Sequence, residues 1–491
     1  MHGTAPLVPG LRSFLAAWIV VTGWVVGGKQ GQAQALEYGL IVEGVGAYED
    51  GLPFWLHANR QGLLGRGTGT MPSGLARLHA RYATAPGPRL RFAAGAELAA
   101  RAGGTGETLH FHRLYGQARY GAFTLTAGRL PHTAGLVDST LSLGSMVLSP
   151  NATPVPAVSL AFDYIPILVL PGKTELIHAK GYFSHGWLEG DRFVRGAFLH
   201  GKYLYLRGLG PADFPVLAYA GINHYVIWGG THPDLGRLPS GFRDFVDVVL
   251  ARAGDRGRAP GGEVVNALGN TVASYDFGLT VRLPHLHLTA YRQFFIDTST
   301  AARFRNPWDG LWGLSLQWPG RDRLIRKLLW EHVSSKRQGS RYDAGEPDGA
   351  DNYYNNFLYR GGWTYYGRTL GLPLFFPDPA GERPGVVNNI VVAHHLGLEG
   401  RIARRFAYRS LFTYSRNYGA RDNCGDDGCF GEPTLLTPRR DQVSWLFELR
   451  GPLSPTLDLL AAVAVDAGDV YPTRAGLLLG LSWRPGPPQA R

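Results

Sequence analysis

Long apolar runs are scarce in this chain. After the first 35 residues, no segment approaches the roughly 18 uninterrupted apolar residues of a membrane-spanning helix. The longest candidates, Tyr164 to Leu170 and Leu457 to Val465, are strand-sized. A helical membrane protein is thereby excluded. The mature chain is either soluble outside the cytoplasm or crosses a membrane as strands. Cysteine is equally scarce: only Cys424 and Cys429 occur, with four residues between them and a glycine at each end of the interval. A disulfide stiffening a loop tip fits them better than a metal site, which would need two further soft ligands nearby. No helical basic stripe or nucleic-acid motif is present, so nucleic acid is not an expected partner. No repeat of roughly 40–50 residues appears, which argues against a propeller. No cofactor or resident metal is implied.

What is present begins with an export address. Arg12 precedes an apolar core from Phe14 to Val26, and Ala33-Gln34-Ala35 supplies a small-x-small cleavage pattern. Residues 1–35 therefore read as a signal peptide, cut between Ala35 and Leu36. An uncleaved anchor is the alternative, but the apolar run is short for a span. Of 491 residues, 456 remain after cleavage; with Arg12 and Lys29 removed, the net charge of +11 falls to +9. Most of the basic residues are arginine. Composition bias accounts for this as readily as attraction of an anionic polymer or anionic lipid headgroups.

The dominant period is two. From Leu90 to Arg101 the even positions are apolar, while the odd ones carry Arg91, Glu97 and Arg101. Tyr275 to Leu283 alternates in the same way, and Trp312, Leu314, Leu316 and Trp318 share one face of another run. These runs are about 9–12 residues long, the length of a tilted membrane strand. Tyr120, Trp318, Trp445 and Trp483 recur near run ends, where an interfacial girdle would sit. A lipid-facing sheet cannot leave open edges, so it must close. The expected fold is all-β: a transmembrane antiparallel barrel of about 16–18 strands. A soluble β-sandwich is the alternative.

The expected organisation places a plug-like N-terminal periplasmic element at residues 36–69 and the barrel at 70–491. A helix near 240–253 is expected as an insertion at one mouth. Ser240 can cap it, and Phe242, Phe245, Val249 and Leu250 would form its apolar side. Long connections are expected at Thr231 to Gly269, Ser334 to Asn356 and Ser415 to Asp441.

Several stretches, in order along most of the mature chain, resemble the Wzi family of capsule-assembly outer-membrane proteins, especially its Bacteroidetes-type branch. They include Gly128-Arg129-Leu130-Pro131, the run from Leu141 to Pro156, and Leu199-His200-Gly-Lys202-Tyr203-Leu-Tyr205. Gly221-Ile-Asn223-His224, Trp228-Gly-Gly230 and Asn306-Pro-Trp308-Asp309-Gly-Leu-Trp312-Gly follow. Further on come Asp351 to Asn356, Gly362-Trp363-Thr-Tyr365, His394-His395-Leu-Gly-Leu-Glu399-Gly and Thr413-Tyr-Ser-Arg416-Asn417-Tyr-Gly419. The resemblance implies an outer-membrane barrel of about 18 strands with helices at its periplasmic end. It also implies a lectin-like, non-enzymatic role in holding capsular polysaccharide at the cell surface.

Three chemistries are open to the polar and aromatic residues. His200, His224, His394 and His395 could enter a triad, but no Gly-x-Ser-x-Gly elbow is present. Asp309 and Glu331 could form a glycosidase pair, with a charged lumen wall as the structural alternative. The acidic stretch Asp343 to Asp351 could hold Ca²⁺, though its spacing fits no EF-hand. The adjacent His394 and His395 would point to opposite faces of a strand. Sugars are bound by aromatic faces and planar polar groups. Trp228, Trp308, Trp312, Trp363 and Tyr365 could supply the faces; Arg129, Lys202 and Arg416 could pair with sugar carboxylates. With Asn151, His200, His224, Asp309 and Glu331 they form the candidate glycan-binding set. The leading expectation is a monomeric, non-enzymatic barrel in the cell outer membrane, surrounded by outer-membrane lipid and binding an anionic surface polysaccharide. A channel for small polar solutes and an outer-membrane lipid or glycan hydrolase are the rivals.

Overall fold

A computed structural model describes residues 35–485, apart from 50, 67–71, 85–89, 105, 172–173, 209–213, 258, 261–262, 265–266, 298–300, 305, 339–350, 379–380, 382 and 421–434. The signal peptide and its cleavage residue Ala33, the pair Cys424 and Cys429, and the acidic loop up to 350 lie outside the described residues.

Eighteen antiparallel strands form one closed sheet. The first nine are β1 (Ala35–Tyr48), β2 (Ser73–Ala83), β3 (Leu90–Gly103), β4 (Thr108–Tyr120), β5 (Phe123–Arg129), β6 (Pro156–Leu170), β7 (Thr174–Trp187), β8 (Phe198–Gly208) and β9 (Val216–Trp228). The second nine are β10 (Asn270–Leu283), β11 (Leu286–Ile296), β12 (Gly310–Gln317), β13 (Lys327–Ser334), β14 (Val391–Ile402), β15 (Phe406–Gly419), β16 (Leu435–Ser454), β17 (Leu457–Gly468) and β18 (Arg474–Trp483). Each pairs with its neighbour in sequence, and β1 closes the barrel on β18 from Leu40↔Trp483 to Tyr48↔Ala475. Closure leaves no backbone edge in hydrocarbon.

The period-two pattern sets the two faces of this wall. Leu90 and Phe92 on β3, Phe277 and Leu279 on β10, and Leu477, Leu479 and Leu481 on β18 are exposed on the outside. Glu97, Asp276 and Glu448 on the opposite parity are buried inside. So broad an exposed apolar belt is stable only against lipid. Tyr38 and Trp483 pair their rings at one end of the belt, 6.2 Å apart, while Tyr48 and Trp187 are exposed at the other.

The two mouths differ. On the side of the chain termini, strands are joined by short turns such as 121–122, 284–285 and 455–456. On the other side the connections run 49–72, 130–155, 229–269 and 335–390. Outer-membrane barrels put short turns in the periplasm and long loops outside, so the termini mark the periplasmic mouth.

Three long loops turn inward and form the core. The largest buried cluster joins Phe54, Trp55 and Leu56, Leu141, Leu143 and Met146, and Tyr353, Tyr354, Trp363 and Phe375. At roughly 1.5–3 kcal/mol for each large apolar side chain buried, this cluster holds the loops in the lumen. Helix α1 (Phe54–His57) is one turn within it. Inner-wall carboxylates fix the 130–155 loop. Glu331 on β13 accepts from Leu143 N at 2.7 Å, Ser142 Oγ at 2.7 Å and the Tyr291 hydroxyl. Asp276 on β10 accepts from Leu136 N at 3.1 Å, Tyr205 Oη at 2.7 Å and Gln293 Nε2 at 2.9 Å.

Three expectations change. Residues 36–48 are not part of a plug: Leu36, Tyr38, Leu40 and Val42 alternate outward with Glu43 inward, so they form wall strand β1. The inward element of this region starts only at Gly51 and descends from the long-loop mouth. The two described α-helices also belong to that mouth rather than to the periplasmic end. The second, α2 (Phe242–Val249), is not capped by Ser240; Gly241 is its N-cap, and Gly241 N donates to Asp244 Oδ2 at 2.8 Å. Its buried side is Phe245 and Val248, while Phe242 is 82% exposed.

Glu331→Ala strands two or three buried donors at roughly 1–3 kcal/mol each. The substitution is expected to lower thermal stability in detergent and to expose the 137–147 segment to protease. Unchanged melting and cleavage would show that the loop is held without this carboxylate.

Candidate functional site

The inward loops pack into the long-loop half of the lumen, and the two largest chambers among the described residues open on the turn side. The first has a volume of about 490 Å³ and lies between β4–β9 and the 130–155 loop. On its wall, Tyr182 of β7 and Tyr203 of β8 are register partners, and their rings stack at 5.2 Å and 14°. His132 lies on Tyr182 at 4.0 Å and 11°. Burial, followed by the nearby Lys180, lowers the His132 pKa to about 4, so the imidazole stacks as a neutral ring. The adjoining strands β4–β6 carry Gln117, Thr124, Thr126 and Ser159 on the same lining. An aromatic slab beside hydroxyl and amide groups suits a pyranose, whose C–H face covers a ring while its hydroxyls pair at the edges.

The second chamber, about 740 Å³, lies under residues 59–64 and against β1, β2 and β15–β18. Arginine dominates its lining. Arg60, Arg409 and Arg450 converge on the buried Glu448 at 2.9, 3.1 and 2.8 Å. Arg77 bridges Glu43 at 3.2 Å and Glu97 at 3.9 Å. Gln61 borders both chambers, and its Oε1 accepts from Arg113 Nη2 at 3.1 Å.

The sequence-predicted residues divide into three places. Arg129, Asn151, Trp363 and Tyr365 belong to the plug and its seat. Arg129 Nη2 donates to Tyr365 Oη at 3.5 Å, Asn151 Nδ2 donates to Thr369 O at 3.0 Å, and Trp363 Nε1 donates to Val147 O at 2.8 Å. Asp309 is a clasp at the rim: it takes Gln338 N at 2.7 Å, Asn306 Nδ2 at 2.8 Å and Tyr353 Oη at 3.0 Å. Burial raises its carboxyl above the ordinary range. Glu331 is the loop anchor described above. Neither carboxylate faces a chamber lining.

His200, Lys202, His224 and Trp228 are brought together, but on the outer wall. They share strand parity with the exposed Leu204, Leu206 and Ile222. Helix α2 covers them: the Phe245 ring lies 5.6 Å from His200 and 5.8 Å from Trp228. Lys202 Nζ donates to Val249 O at the helix C-terminus. Trp308 and Trp312 are also exposed, the latter stacked under Arg292 at 4.1 Å. Arg416 shares the outward parity of Phe412 and donates to Tyr414 Oη at 3.3 Å. His395 is buried against the plug while His394 is exposed on the outer parity, so the pair faces apart as expected. The slab of His132, Tyr182 and Tyr203 was not anticipated as a site. It depends on the register of β7 with β8 and on a loop descending onto them, and no single sequence window carries either.

A family model described as "Capsule assembly protein Wzi" matches residues 69–375. Among solved structures, the chain is similar to Wzi of Escherichia coli, described as an outer membrane protein involved in group 1 capsule assembly and a carbohydrate-binding β-barrel. The two are 13% identical over 99% of this chain and 90% of that one, with a TM-score of 0.56. It is also similar to OccK5 (OpdH) of Pseudomonas aeruginosa at 9% identity over 91% and 97% of the two chains, with a TM-score of 0.47. At these identities the likeness is one of fold. No curated protein sequence matches the chain.

The α2 cover contains a pH-sensitive group. Glu263 accepts from Gly269 N at 2.9 Å; burial raises its pKa from the ordinary 4.5 to about 7, with Asp244 adding to the rise. Between those values the folded protein keeps a proton that the unfolded segment releases. Stability of the cover therefore falls as pH rises through this window and levels off above it, by up to about 3 kcal/mol. Hydrogen exchange of the 246–250 amides is expected to accelerate from pH 4.5 to 7 beyond its intrinsic rate, and Glu263→Gln to flatten that excess. A flat wild-type profile would contradict the assignment.

Proposed function

Because the chain belongs to the Wzi family of capsule assembly proteins, we propose that it is a non-enzymatic outer-membrane barrel that binds or anchors capsular or another anionic surface polysaccharide during capsule assembly. The observation that carries the reading is the filled lumen. An empty barrel of about 16–18 strands encloses an aqueous channel; here the 51–66, 130–155 and 351–390 segments pack into one buried core inside the wall. A barrel so filled suits a scaffold that holds a ligand better than one that passes solutes.

The slab of His132, Tyr182 and Tyr203 supports a sugar as the ligand. Carbohydrate binding, the property ascribed to the Escherichia coli structure, is carried to this chain on that ground. A binding role also agrees with how the catalytic candidates are used. Asp309 and Glu331 are saturated by loop donors, and His200 and His224 lie under α2 on the outer wall. The closed sheet and the lipid-facing belt favour a monomer in outer-membrane lipid. The exposed Phe242 and Leu250 of the α2 region extend that apolar contact at the outer rim.

Deleting the gene is expected to move polysaccharide from the cell-bound to the shed fraction. Wild-type protein should restore retention, and a folded Tyr182→Ala/Tyr203→Ala variant should restore it poorly. Unchanged retention after deletion would overturn the reading.

A further inference from the structure

The second chamber has a charge imbalance that the fold does not use. Nine arginines line it, against two carboxylates, Glu43 and Asp458. Some of the nine are neutralised: Glu448 serves Arg60, Arg409 and Arg450, and Asp458 meets Arg484 at 3.3 Å. Arg401 near the end of β14 and Arg404 and Arg405 in the turn after it add to these, and none of the three has a carboxylate partner among the described residues. Arg401 donates to Arg404 O at 3.0 Å and Arg405 to Pro452 O at 2.7 Å, both carbonyls. Like charges gathered on low-dielectric walls raise the potential between them and concentrate anions there. The guanidinium fork, unlike an ammonium, fits a carboxylate with two parallel hydrogen bonds.

Size and position narrow the ligand. At about 740 Å³ the chamber is far larger than a single small anion needs and lies within the range of sites that enclose organic ligands. It adjoins the tyrosine-walled chamber across Gln61, the one residue common to both linings. Its floor is the turn-side mouth, where Arg404, Arg405 and Arg484 are exposed. We infer that the arginine chamber is a carboxylate-binding subsite for acidic sugar units, entered from the periplasmic mouth and continuous in function with the aromatic chamber beside it. It rests on the polysaccharide-binding reading above and adds to it the residues that meet the polymer's carboxylates and the side from which it is met.

The test is calorimetric titration of the full mature protein in uncharged detergent with a short oligoglucuronate and with its carboxyl-reduced, neutral counterpart. The acidic oligomer is expected to bind, to weaken as sodium chloride rises, and to exceed the neutral one by about tenfold or more. Arg404→Gln/Arg405→Gln removes exposed charges that have no carboxylate partner among the described residues, without touching the Glu448 cluster; it should cost the acidic oligomer about tenfold in Kd and leave the neutral one unchanged. Tyr203→Ala should weaken both. Equal binding of the two oligomers, with no effect of the double arginine variant, would overturn this inference while leaving polysaccharide binding intact. Failure of both oligomers to bind would overturn the two together. Full displacement of the acidic oligomer by millimolar inorganic phosphate would reassign the chamber to small oxyanions and overturn the sugar assignment.

Discussion

Carboxylates on the inner wall that accept hydrogen bonds from descending loops are the interaction on which the rest of this structure depends. A loop that enters a barrel carries backbone N–H groups away from bulk water, and each must find an acceptor. Glu331 and Asp276 supply acceptors at the wall, taking Leu143 N and Leu136 N, and Asp466 does the same for Phe54 N at 2.9 Å. These contacts fix where the loops lie. The apolar residues between them, from Leu141 to Met146 and from Phe54 to Leu56, then pack into a core inside the barrel. Neither set suffices alone, because an apolar cluster does not choose its height in the lumen and an isolated carboxylate does not fill it.

The chambers follow from that arrangement. The loops occupy the half of the lumen near their own mouth, so the two largest chambers lie toward the short turns. The wall around that space is divided. Strands β4–β9 bring tyrosine and hydroxyl groups to one chamber, and Arg77 of β2, Arg409 of β15, Arg450 of β16 and the 403–405 turn bring arginine to the other. An acidic glycan has both characters, with rings that stack and carboxylates that pair. The outer wall follows a different logic: α2 lies over His200 and Trp228 where the belt meets the rim, shielding polar groups that lipid would not tolerate.

The barrel was legible because its signal is local. Alternation at Leu90 to Arg101 or Tyr275 to Leu283 needs only neighbouring residues, and the lipid-facing parity read there is the one found. The same signal was present in Leu36 to Val42 but was masked by the adjoining inward segment, so that stretch was assigned to a plug. For His200, His224 and Trp228 the strand face is also local information. Leu204 and Ile222, on the same parity, point them outward. What alternation cannot carry is where a long loop goes. Nothing local tells that residues 130–155 enter the lumen, or that His132 stacks on Tyr182, because those contacts join positions tens of residues apart through a register set by the whole wall.

The central claim is that the lumen is closed by its own loops, so that the barrel holds a ligand and does not conduct. Single-protein insertion into a planar lipid bilayer tests it most directly. The structure predicts no steady ohmic conductance of the size an open barrel of about 16–18 strands gives. A stable, large conductance from the wild-type protein would contradict it.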